Sequence, residues 1–504
     1  MASVNTNIGA MVAQNNMSKQ TREMEQAMER LSSGLRLNSA ADDAAGISIS
    51  ERMNSQIKGL SQAIRNSQDG QNLIDTIEGA NQEVVNILQR LRELAVQSAN
   101  DTNSALDRTF LQDEATALIA EIDRIKDTTA YNGTKVLDGT FTSKILQVGF
   151  LKDEEIAVSV DSVAAASIGT FQLKSDAVAY EITDGTNDNV ETSITIDGHL
   201  GSANADVSAG SSAKVMAAAI TEDAASTGVS ATAVTYALIN NLTVDGTLNF
   251  TLTTDDATSG VSIVSNNVSK ADLTNLRDAI NAKAAVTGVT ATYESGSQGG
   301  VVLKHATGGN INMTNFTGAT TTAEIDVHSL DVDGKTELDT GASGVALDGA
   351  NDAFVTGTMT LSSIKAFTVS GDGDDDAGFF NTNHGFSGAT QAGGTAALTN
   401  MANITIGTQT GAEAAIAVID GAIDQVNNIR SDLGAISNRL DKTINNLSNI
   451  VENTSASRSH INDADFAAET SALTKAQILN QAATSMLAQA NASKQNILAL
   501  LQNG

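Results

Sequence analysis

The sequence predicts an α+β protein of several domains, with long coiled-coil helices at both ends and a β-rich region inserted between them. Apolar residues recur at intervals of four and three near both termini, which is the heptad pattern of helices that pack side by side. Between about residues 140 and 410 the pattern changes to short alternating runs rich in Thr, Ser, Val and Gly, which is typical of strands. A chain of 504 residues suffices for about three or four domains.

Two apolar runs predict the N-terminal helices. The first extends over residues 48–99 and indicates one helix or a helix pair, although Ser67 and Asn81 interrupt its stripe. The second covers residues 111–125. Asn132–Gly133 then favours a tight turn, so we expect a long helical segment, a shorter helix and a turn, in that order.

The C-terminal part repeats this pattern. An apolar stripe at the same spacing covers residues 416–451 and predicts another long helix. A break follows at residues 460–465, where Asp463 or Asp465 is suited to cap the N-terminus of a final helix, because a carboxylate can accept the unpaired N–H groups of a first turn.

The middle of the chain contains candidate strands, two short helices and an internal repeat. We expect strands at residues 141–150, 191–198, 246–255, 299–305 and 357–371, and short helices near 212–225 and 270–285. Residues 219–232 and 279–292 both match A-I-x-x-x-A-A-x-T-G-V-x-A-T, at an offset of 60 residues. The repeat predicts a duplicated unit of strand, helix, turn and strand at about residues 185–305, and therefore a pair of small α+β modules.

Composition excludes several classes of function. The net charge of −30 disfavours a nucleic-acid partner, which needs a basic face, and an anionic membrane would repel the chain. No apolar run is long enough for membrane insertion, and the first twenty residues lack the features of a secretory signal. These rules alone predict a cytoplasmic protein. The absence of Cys excludes disulfides, thiolate zinc sites and cysteine nucleophiles.

No motif for catalysis, a cofactor or a metal is present. The histidines form no HExxH or paired arrangement, and there is no phosphate-binding glycine loop. The acidic run 371–376 carries alternate carboxylates, but Ala377 and Asn383 stand where a calcium-binding EF-hand loop requires Gly and Glu. We therefore expect a protein that is not an enzyme and that has no cofactor and no metal site. The five histidines are His199, His305, His328, His384 and His460.

Both extreme ends are almost free of charge. Residues 1–18 have no charged side chain, and residues 476–504 have only Lys494. Such ends could pack in the core of their own molecule, lie on a membrane, or be buried against other copies of the chain. We favour the third alternative, because an isolated helix pair leaves one face in water and a head-to-tail contact that does not close generates a filament. The candidate contact residues are Val4, Ile8, Met11, Leu479, Ala482, Met486, Ile497 and Leu500.

Long motifs at both ends resemble the bacterial flagellin family. The N-terminal motifs are RLSSGLRLNSAADDAAGISISERM at 30–53, LQRLRELAVQSAND at 88–101 and AYNGTKVLDG at 130–139. The C-terminal motifs are SRSHINDADFAAET at 457–470 and SMLAQANASKQNILALL at 485–501. The resemblance covers about the first 170 and the last 105 residues, whereas the middle is similar to the variable region of the family.

The resemblance implies a domain plan and a function. Residues 1–44 with 462–504 are expected to form terminal helices in the inner core of a filament. Residues 45–170 with 405–461 are expected to form an antiparallel coiled-coil rod with a β-hairpin, and residues 171–404 one or two outer domains. The implied function is polymerisation into the extracellular flagellar filament used for swimming. The alternatives are a junction adaptor between hook and filament, from the same superfamily, and an enzyme displayed on a filament, which the missing motifs disfavour.

The resemblance also implies location and partners. Export through the flagellar type III channel needs no cleaved signal, so an extracellular location replaces the cytoplasmic one. The implied partners are other copies of the chain, the flagellar cap and hook-junction proteins, and an export chaperone at the C-terminal helices. A vertebrate innate immune receptor is a further implied partner, with candidate contacts at Gln89, Arg90, Leu94 and Glu114. Alternatively, Arg90 and Glu114 form ion pairs within the rod or between subunits, and Leu94 packs.

Overall fold

The computed structural model describes most of the chain and contains long helices near both ends and antiparallel sheets between them. The described residues are 6–175, 179–182, 193–208, 211–257, 259–294, 300–320, 323–337, 345–349, 351–371 and 394–502. The chain divides into two compact units. Unit 1 comprises Met1–Asp75, Ser143–Ser159 and Leu433–Gly504, and unit 2 comprises Thr76–Thr142 and Val160–Asp432.

Five long helices account for the two ends of the chain. They are α1 (Ile8–Ser33), α2 (Ala44–Ala99), α3 (Ala105–Thr128), α8 (Gln409–Asn462) and α9 (Phe466–Gln502). The run predicted as one helix or a pair is thus a single helix of 56 residues, about 84 Å long at 1.5 Å per residue. Of the two aspartates predicted as caps of the last helix, Asp465 accepts the Ala467 and Ala468 N–H groups.

In unit 1, α2 and α8 pack antiparallel, with a β-hairpin against α2. Leu60 and Ala63 of α2 form a buried cluster with Leu447 of α8. The hairpin consists of β3 (Lys144–Gln147) and β4 (Glu155–Val158). It approaches α2 at two glycines: a Cβ added to Gly59 would lie 2.9 Å from Phe150 Cβ, and one added to Gly70 would lie 2.5 Å from Leu146 Cδ1. Glycine at these two positions of α2 therefore leaves the space that the hairpin occupies.

In unit 2, the rest of α2 packs with α3 and with the first part of α8. The apolar stripe read from the sequence is the buried one, since Ile77, Val84, Leu88, Leu91 and Ala95 are almost completely inaccessible. Charged pairs join α2 to α8 at its margins. Arg430 donates to Glu78 at 2.7 Å, and Arg92 donates to Asp420 at 2.6 Å. Asn81, which interrupts the stripe, is fully buried.

The turn after α3 forms as predicted. Short strands β1 (Ala130–Tyr131) and β2 (Thr134–Lys135) pair on either side of Asn132–Gly133. Both turn residues have positive φ, 49° and 80°, which is the backbone of a type I′ hairpin and which Asn and Gly tolerate best.

Three antiparallel sheets form the middle of the chain within unit 2. A five-stranded sheet has the order β11-β10-β14-β17-β6, and a four-stranded sheet has the order β20-β19-β7-β8. The eight-stranded sheet runs β12-β13-β9-β18-β5-β21, with β15 and β16 paired beside β9. The strands are β5 (Gly169–Lys174), β6 (Ala179–Ile182), β7 (Ser193–Asp197), β8 (Ser202–Asp206), β9 (Val229–Asn240), β10 (Gly246–Thr254), β11 (Val261–Val268), β12 (Val289–Glu294), β13 (Gly300–His305), β14 (Ile311–Thr317), β15 (Ile325–Leu330), β16 (Val345–Leu347), β17 (Asp352–Val355), β18 (Thr358–Ser363), β19 (Thr368–Gly371), β20 (Gly394–Thr395) and β21 (Ala397–Asn400).

Each predicted short helix is a pair of helices. The first is α4 (Ala213–Glu222) with α5 (Ala224–Thr227), and the second is α6 (Thr274–Asn281) with α7 (Ala284–Thr287). The run at 357–371, predicted as a single strand, contributes β18 and β19 to different sheets, because the chain bends between Ser363 and Thr368. A 3₁₀ turn, Met401–Asn403, follows β21.

The two copies of the repeat make the same hydrogen bonds at an offset of 60 residues. Thr221 exchanges side-chain hydrogen bonds with both backbone groups of Ala231, and Asn281 does so with Ala291. Gly228 and Gly288 each donate an N–H back to an alanine and have φ of 73° and 69°. The two copies thus share one local fold, which Thr closes in the first copy and Asn in the second. No helix in the described part of the chain is both long and apolar enough to cross a membrane.

Candidate self-association surface

Helices α1 and α9 pack antiparallel through a seam in which alanines and larger side chains are mixed, within unit 1. Asn7 of α1's N-cap donates to the Ala490 carbonyl at 3.3 Å, and Asn480 donates to Thr21 Oγ1 at 2.8 Å. The inward residues recur at intervals of three and four, so the seam has coiled-coil spacing. They are Ala10, Ala13, Met17, Gln20, Met24 and Ala27 on α1, and Leu473, Ala476, Asn480, Ala483, Leu487 and Ala490 on α9.

The predicted contact residues lie on the opposite, outward face. Ile8, Met11, Leu479 and Met486 are 66%, 62%, 39% and 63% exposed, and Ala482 is also exposed. For these five residues the alternative of burial in their own molecule is therefore wrong. Val4 lies outside the described residues. Ile497 and Leu500 lie in α9, but their side chains are outside the described part.

Sequence reasoning missed the seam itself, because half of its residues are alanines, which do not stand out in a sequence as large apolar residues do. The signal that could have revealed it is the three-and-four spacing of Ala476, Ala483 and Ala490. The outward face carries further large apolar side chains that were also missed, namely Val12, Met28, Phe466 and Ile478. A shallow groove of about 490 Å³ runs along α9 and is lined by Thr470, Ser471, Thr474, Lys475, Ile478 and Leu479.

A second exposed surface lies on α2 and α3 and contains the candidate receptor contacts. Arg90 donates to Glu114 at 2.9 Å and to Glu93 at 2.9 Å, and its hydrogen bonds to Glu93 and then to Glu114 raise the pKa of the guanidinium. Gln89 is exposed as well. Leu94 is 0% exposed, so it packs in the core and offers no side-chain contact to a receptor in this conformation. The Arg90–Glu114 ion pair and the packing of Leu94, which were the alternatives to receptor contacts, are both present.

Two apolar residues extend this second surface. Leu106 and Phe110 are each 63% exposed and stand one helical turn apart on α3, in the same row as Glu114. The helix begins with a capping box, in which Ser104 and Asp107 exchange side-chain and backbone hydrogen bonds. This cap fixes the first turn, on which Leu106 lies.

The arrangement closest to a catalytic one is in the middle of the chain, and it lacks a free base. His305 Nε2 lies 3.1 Å from Asp256 Oδ2, and Nδ1 accepts the Gly309 N–H at 3.0 Å. Nδ1 is thus occupied, Nε2 lies beside Asp256 without the geometry of a hydrogen bond, and burial lowers the histidine's pKa. The described residues contain no group of three or more His, Asp or Glu placed to hold a metal ion. The acidic run considered for calcium lies, beyond Gly371, outside them.

Known proteins match both ends and the full length of the chain. The model of the bacterial flagellin N-terminal helical region matches residues 4–142, and that of the C-terminal helical region matches residues 416–501. The B-type flagellin of Pseudomonas aeruginosa is 38% identical over 508 aligned residues, which cover 99% of each chain. A flagellin of Salmonella choleraesuis and flagellin C of Vibrio cholerae are both 34% identical, again over 99% of each chain. The terminal helices, the β-rich middle and these matches together place the chain in the bacterial flagellin family.

Proposed function

We propose that this chain is the repeating subunit of an extracellular flagellar filament and that it polymerises by burying the outward face of α1 and α9 against other copies. The observation that carries the proposal is the exposure of Ile8, Met11 and Met486 on the parts of the helix pair, residues 8–18 and 476–493, that have no charged side chain. Burying apolar surface gives about 25 cal/mol per Å², whereas burying an unpaired charge costs several kcal/mol per ion. An uncharged apolar face therefore favours association over solvation.

The polar residues of this face are compatible with burial. They are mainly Asn, Gln, Ser and Thr, which carry no charge and can hydrogen-bond to a neighbour. Ala482 is small, so a neighbouring helix can approach closely at that position. A membrane is a poorer occupant, because the stretches 1–18 and 476–504 offer a single cation, Lys494, to anionic headgroups.

Function and location follow from this surface and from the family. A homopolymer of this kind serves swimming motility and lies outside the cell, after export without a cleaved signal. We propose the flagellar cap and hook-junction proteins as partners at the filament ends, and an export chaperone that covers the C-terminal helix before assembly. The role is structural, since flagellins are filament proteins. A junction adaptor is the weaker alternative, because full-length relatives carry the name flagellin.

The proposed polymerisation is tested by placing charges on the outward face. Met11→Glu and Met486→Glu should raise the protein concentration needed for seeded elongation at least about 100-fold, because about 3 kcal/mol of penalty is expected for a buried unpaired charge. Val286→Glu changes an exposed residue of the middle region and serves as the control. Ala482→Leu should also impair elongation by overfilling the contact.

Normal elongation of both charged variants would contradict the proposed surface. Electron microscopy would show whether the purified wild-type protein elongates filament seeds without any other protein. If it does not, the junction adaptor is favoured.

The second surface supports an immune-receptor contact as a further proposal. Gln89, Arg90 and Glu114 are exposed polar groups on adjacent helices and can meet a receptor on the free subunit. Replacing Arg90 or Glu114 with Ala should weaken receptor activation in a reporter cell assay. Arg124→Ala, on the same helix as Glu114, is a matched control because Arg124 pairs with Glu121 one turn away.

A further inference from the structure

Two connectors lie side by side where the terminal helix pair meets α2 and α8, all within unit 1. One connector is residues 34–43, between α1 and α2, and the other is residues 463–465, between α8 and α9. The Arg36 N–H donates to the Asn462 carbonyl at 2.7 Å, and the Ala464 N–H donates to the Gly34 carbonyl at 3.0 Å. Leu35 and Asp463 form an antiparallel bridge between these bonds. Each connector thus depends on the other for its backbone hydrogen bonds.

Local caps fix the helix ends around the connectors. Gly34 ends α1 in the left-handed conformation, with φ of 71°. Asp43 accepts the Ala45 and Gly46 N–H groups at the start of α2, at 3.0 and 2.9 Å. These contacts determine where each helix begins or ends, but none of them links α1 directly to both neighbouring helices.

Arg30 makes that link. Its Nη1 lies 3.1 Å from Glu469 in the first turn of α9, and its Nη2 lies 4.0 Å from Asp42, two residues before α2. All three side chains are at least half-buried. Asp42 is held in place independently, since it accepts the N–H groups of Asn38 and Ser39, and these bonds lower its pKa.

The charges also suit the helix ends on which they lie. Arg30 is in the last turn of α1, where the helix dipole favours a cation, and Glu469 is in the first turn of α9, where it favours an anion. The Arg30–Glu469 ion pair is therefore favourable where α1 and α9 pack antiparallel. Asp42 connects this ion pair to the beginning of α2.

We propose that Arg30 is a positioning residue for assembly, which fixes the direction in which the helix pair α1–α9 leaves α2; this inference rests on the proposed function. Without Arg30, the seam still holds α1 to α9, and the backbone bonds of the connectors still form. The charged tie to Asp42 is lost, and α1 then contacts this carboxylate only through the neutral Gln26 amide, which donates to Asp42 at 3.2 Å, so the pair bends more easily at the connectors. Subunits then present their outward faces at varied angles, and each addition to a filament is less often productive.

The test compares charge-neutral variants in seeded elongation. Arg30→Met, which keeps the apolar stem, and Asp42→Asn, which can still accept the Asn38 and Ser39 N–H groups through its amide oxygen, should each slow elongation at least about 10-fold and give filaments of irregular curvature. The double variant should be no slower than Arg30→Met, because both changes remove the same interaction. Arg30→Lys keeps the charge and should restore regular filaments in part. Arg65→Met is the control, since Arg65 is in unit 1 and bonds to Gln62 of its own helix.

Four outcomes are distinguishable. Slow, irregular growth of Arg30→Met with helix content and melting temperature equal to those of Arg65→Met supports the positioning role. Normal growth and curvature of Arg30→Met overturns it while leaving the proposed function intact. A loss of helix content in the Arg30→Met subunit before seeding also overturns it, since the residue then stabilises the fold and does not set an angle. Failure of the wild-type protein to elongate rejects the proposed function instead.

Discussion

Gly288 shows how closely single residues determine the middle region. Its φ is 69°, and a Cβ at this position would lie 2.7 Å from Asp256 Oδ2 and 2.9 Å from His305 Nε2. We expect Gly288→Ala to lower the free energy of unfolding by about 2–4 kcal/mol, from the left-handed backbone and the crowding together. Urea unfolding of the purified protein would measure this.

The matched control is Gly79→Ala in α2, where an added Cβ meets no atom within 4 Å. Alanine there should stabilise the helix by about 0.5–1 kcal/mol. If both substitutions changed the free energy of unfolding equally, the left-handed backbone of Gly288 and the crowding around it would be unimportant for stability.

His305 should make the middle region sensitive to mild acid. Burial, the largest effect, lowers its pKa from the ordinary 6.5, although Asp256 acts in the opposite direction. The unfolded chain therefore binds a proton more readily than the folded one, so this contribution to stability is complete above pH 6.5 and declines as the pH falls towards the lower folded pKa.

Melting temperatures measured between pH 7.5 and 5 would detect this effect. His305→Gln should flatten the profile, whereas Val286→Gln, at an exposed site of the middle region, should leave it unchanged. A profile with the same slope in His305→Gln would assign the acid sensitivity to other groups.

At the residue scale, the sequence identified large apolar residues that prove to be exposed, and it overlooked the small residues that pack between α1 and α9. Ile8, Met11 and Met486 are exposed, as an intermolecular contact requires, because large apolar side chains stand out in an uncharged stretch. The alanines of the α1–α9 seam gave no such contrast. Leu94 was ambiguous for a physical reason: it follows the exposed Arg90 by one turn but points into the buried stripe.

Among the secondary-structure elements, α3 owes its start to its capping box. Ser104 accepts the Asp107 N–H at 3.2 Å and donates to the Asp107 carboxylate at 2.7 Å, and this lowers the carboxyl pKa. Ser104→Ala should cost about 1 kcal/mol of stability. It should also reduce amide protection of the first turn in hydrogen exchange. Thr102→Ala, in the loop before the cap, is the control, and an equal loss in both variants would argue against the cap.

Helices were easier to predict than strands, because a helical pattern extends over more residues than the alternating pattern of a short strand. The heptad stripe of α2 extends over many turns, so Ser67 and Asn81 do not obscure it. In the run 357–371 the alternation changes phase after Ser362–Ser363 and again at Ala366–Phe367, but each stretch is so short that these breaks were not recognised as the bend that sends β18 and β19 into separate sheets. Short helices were located, but the break between α4 and α5 was missed, because Asp223 is also acceptable inside a helix.

For the whole molecule, the net charge of −30 should oppose assembly at low ionic strength. Raising the salt concentration from about 0.01 M to 0.15 M shortens the Debye length from about 30 Å to 8 Å and screens repulsion between subunits. We expect the critical concentration for seeded elongation to fall over this range, as measured by sedimentation. Sucrose at matched osmolarity is the control. A critical concentration that does not change with salt concentration would show that charge repulsion between subunits is negligible.

The 60-residue repeat has a consequence for how such a chain can change over time. Each copy closes its own hydrogen bonds, Thr221 with Ala231 in one and Asn281 with Ala291 in the other. Because β9 of the first copy also pairs with β13, β15 and β18, a copy cannot simply be removed, but its own residues can be exchanged, as Thr221 and Asn281 are, without rewriting the motifs at either end. The residues that shape the middle region and those that form the terminal helices thus lie in separate stretches of the sequence, so a change in one stretch leaves the other unaltered.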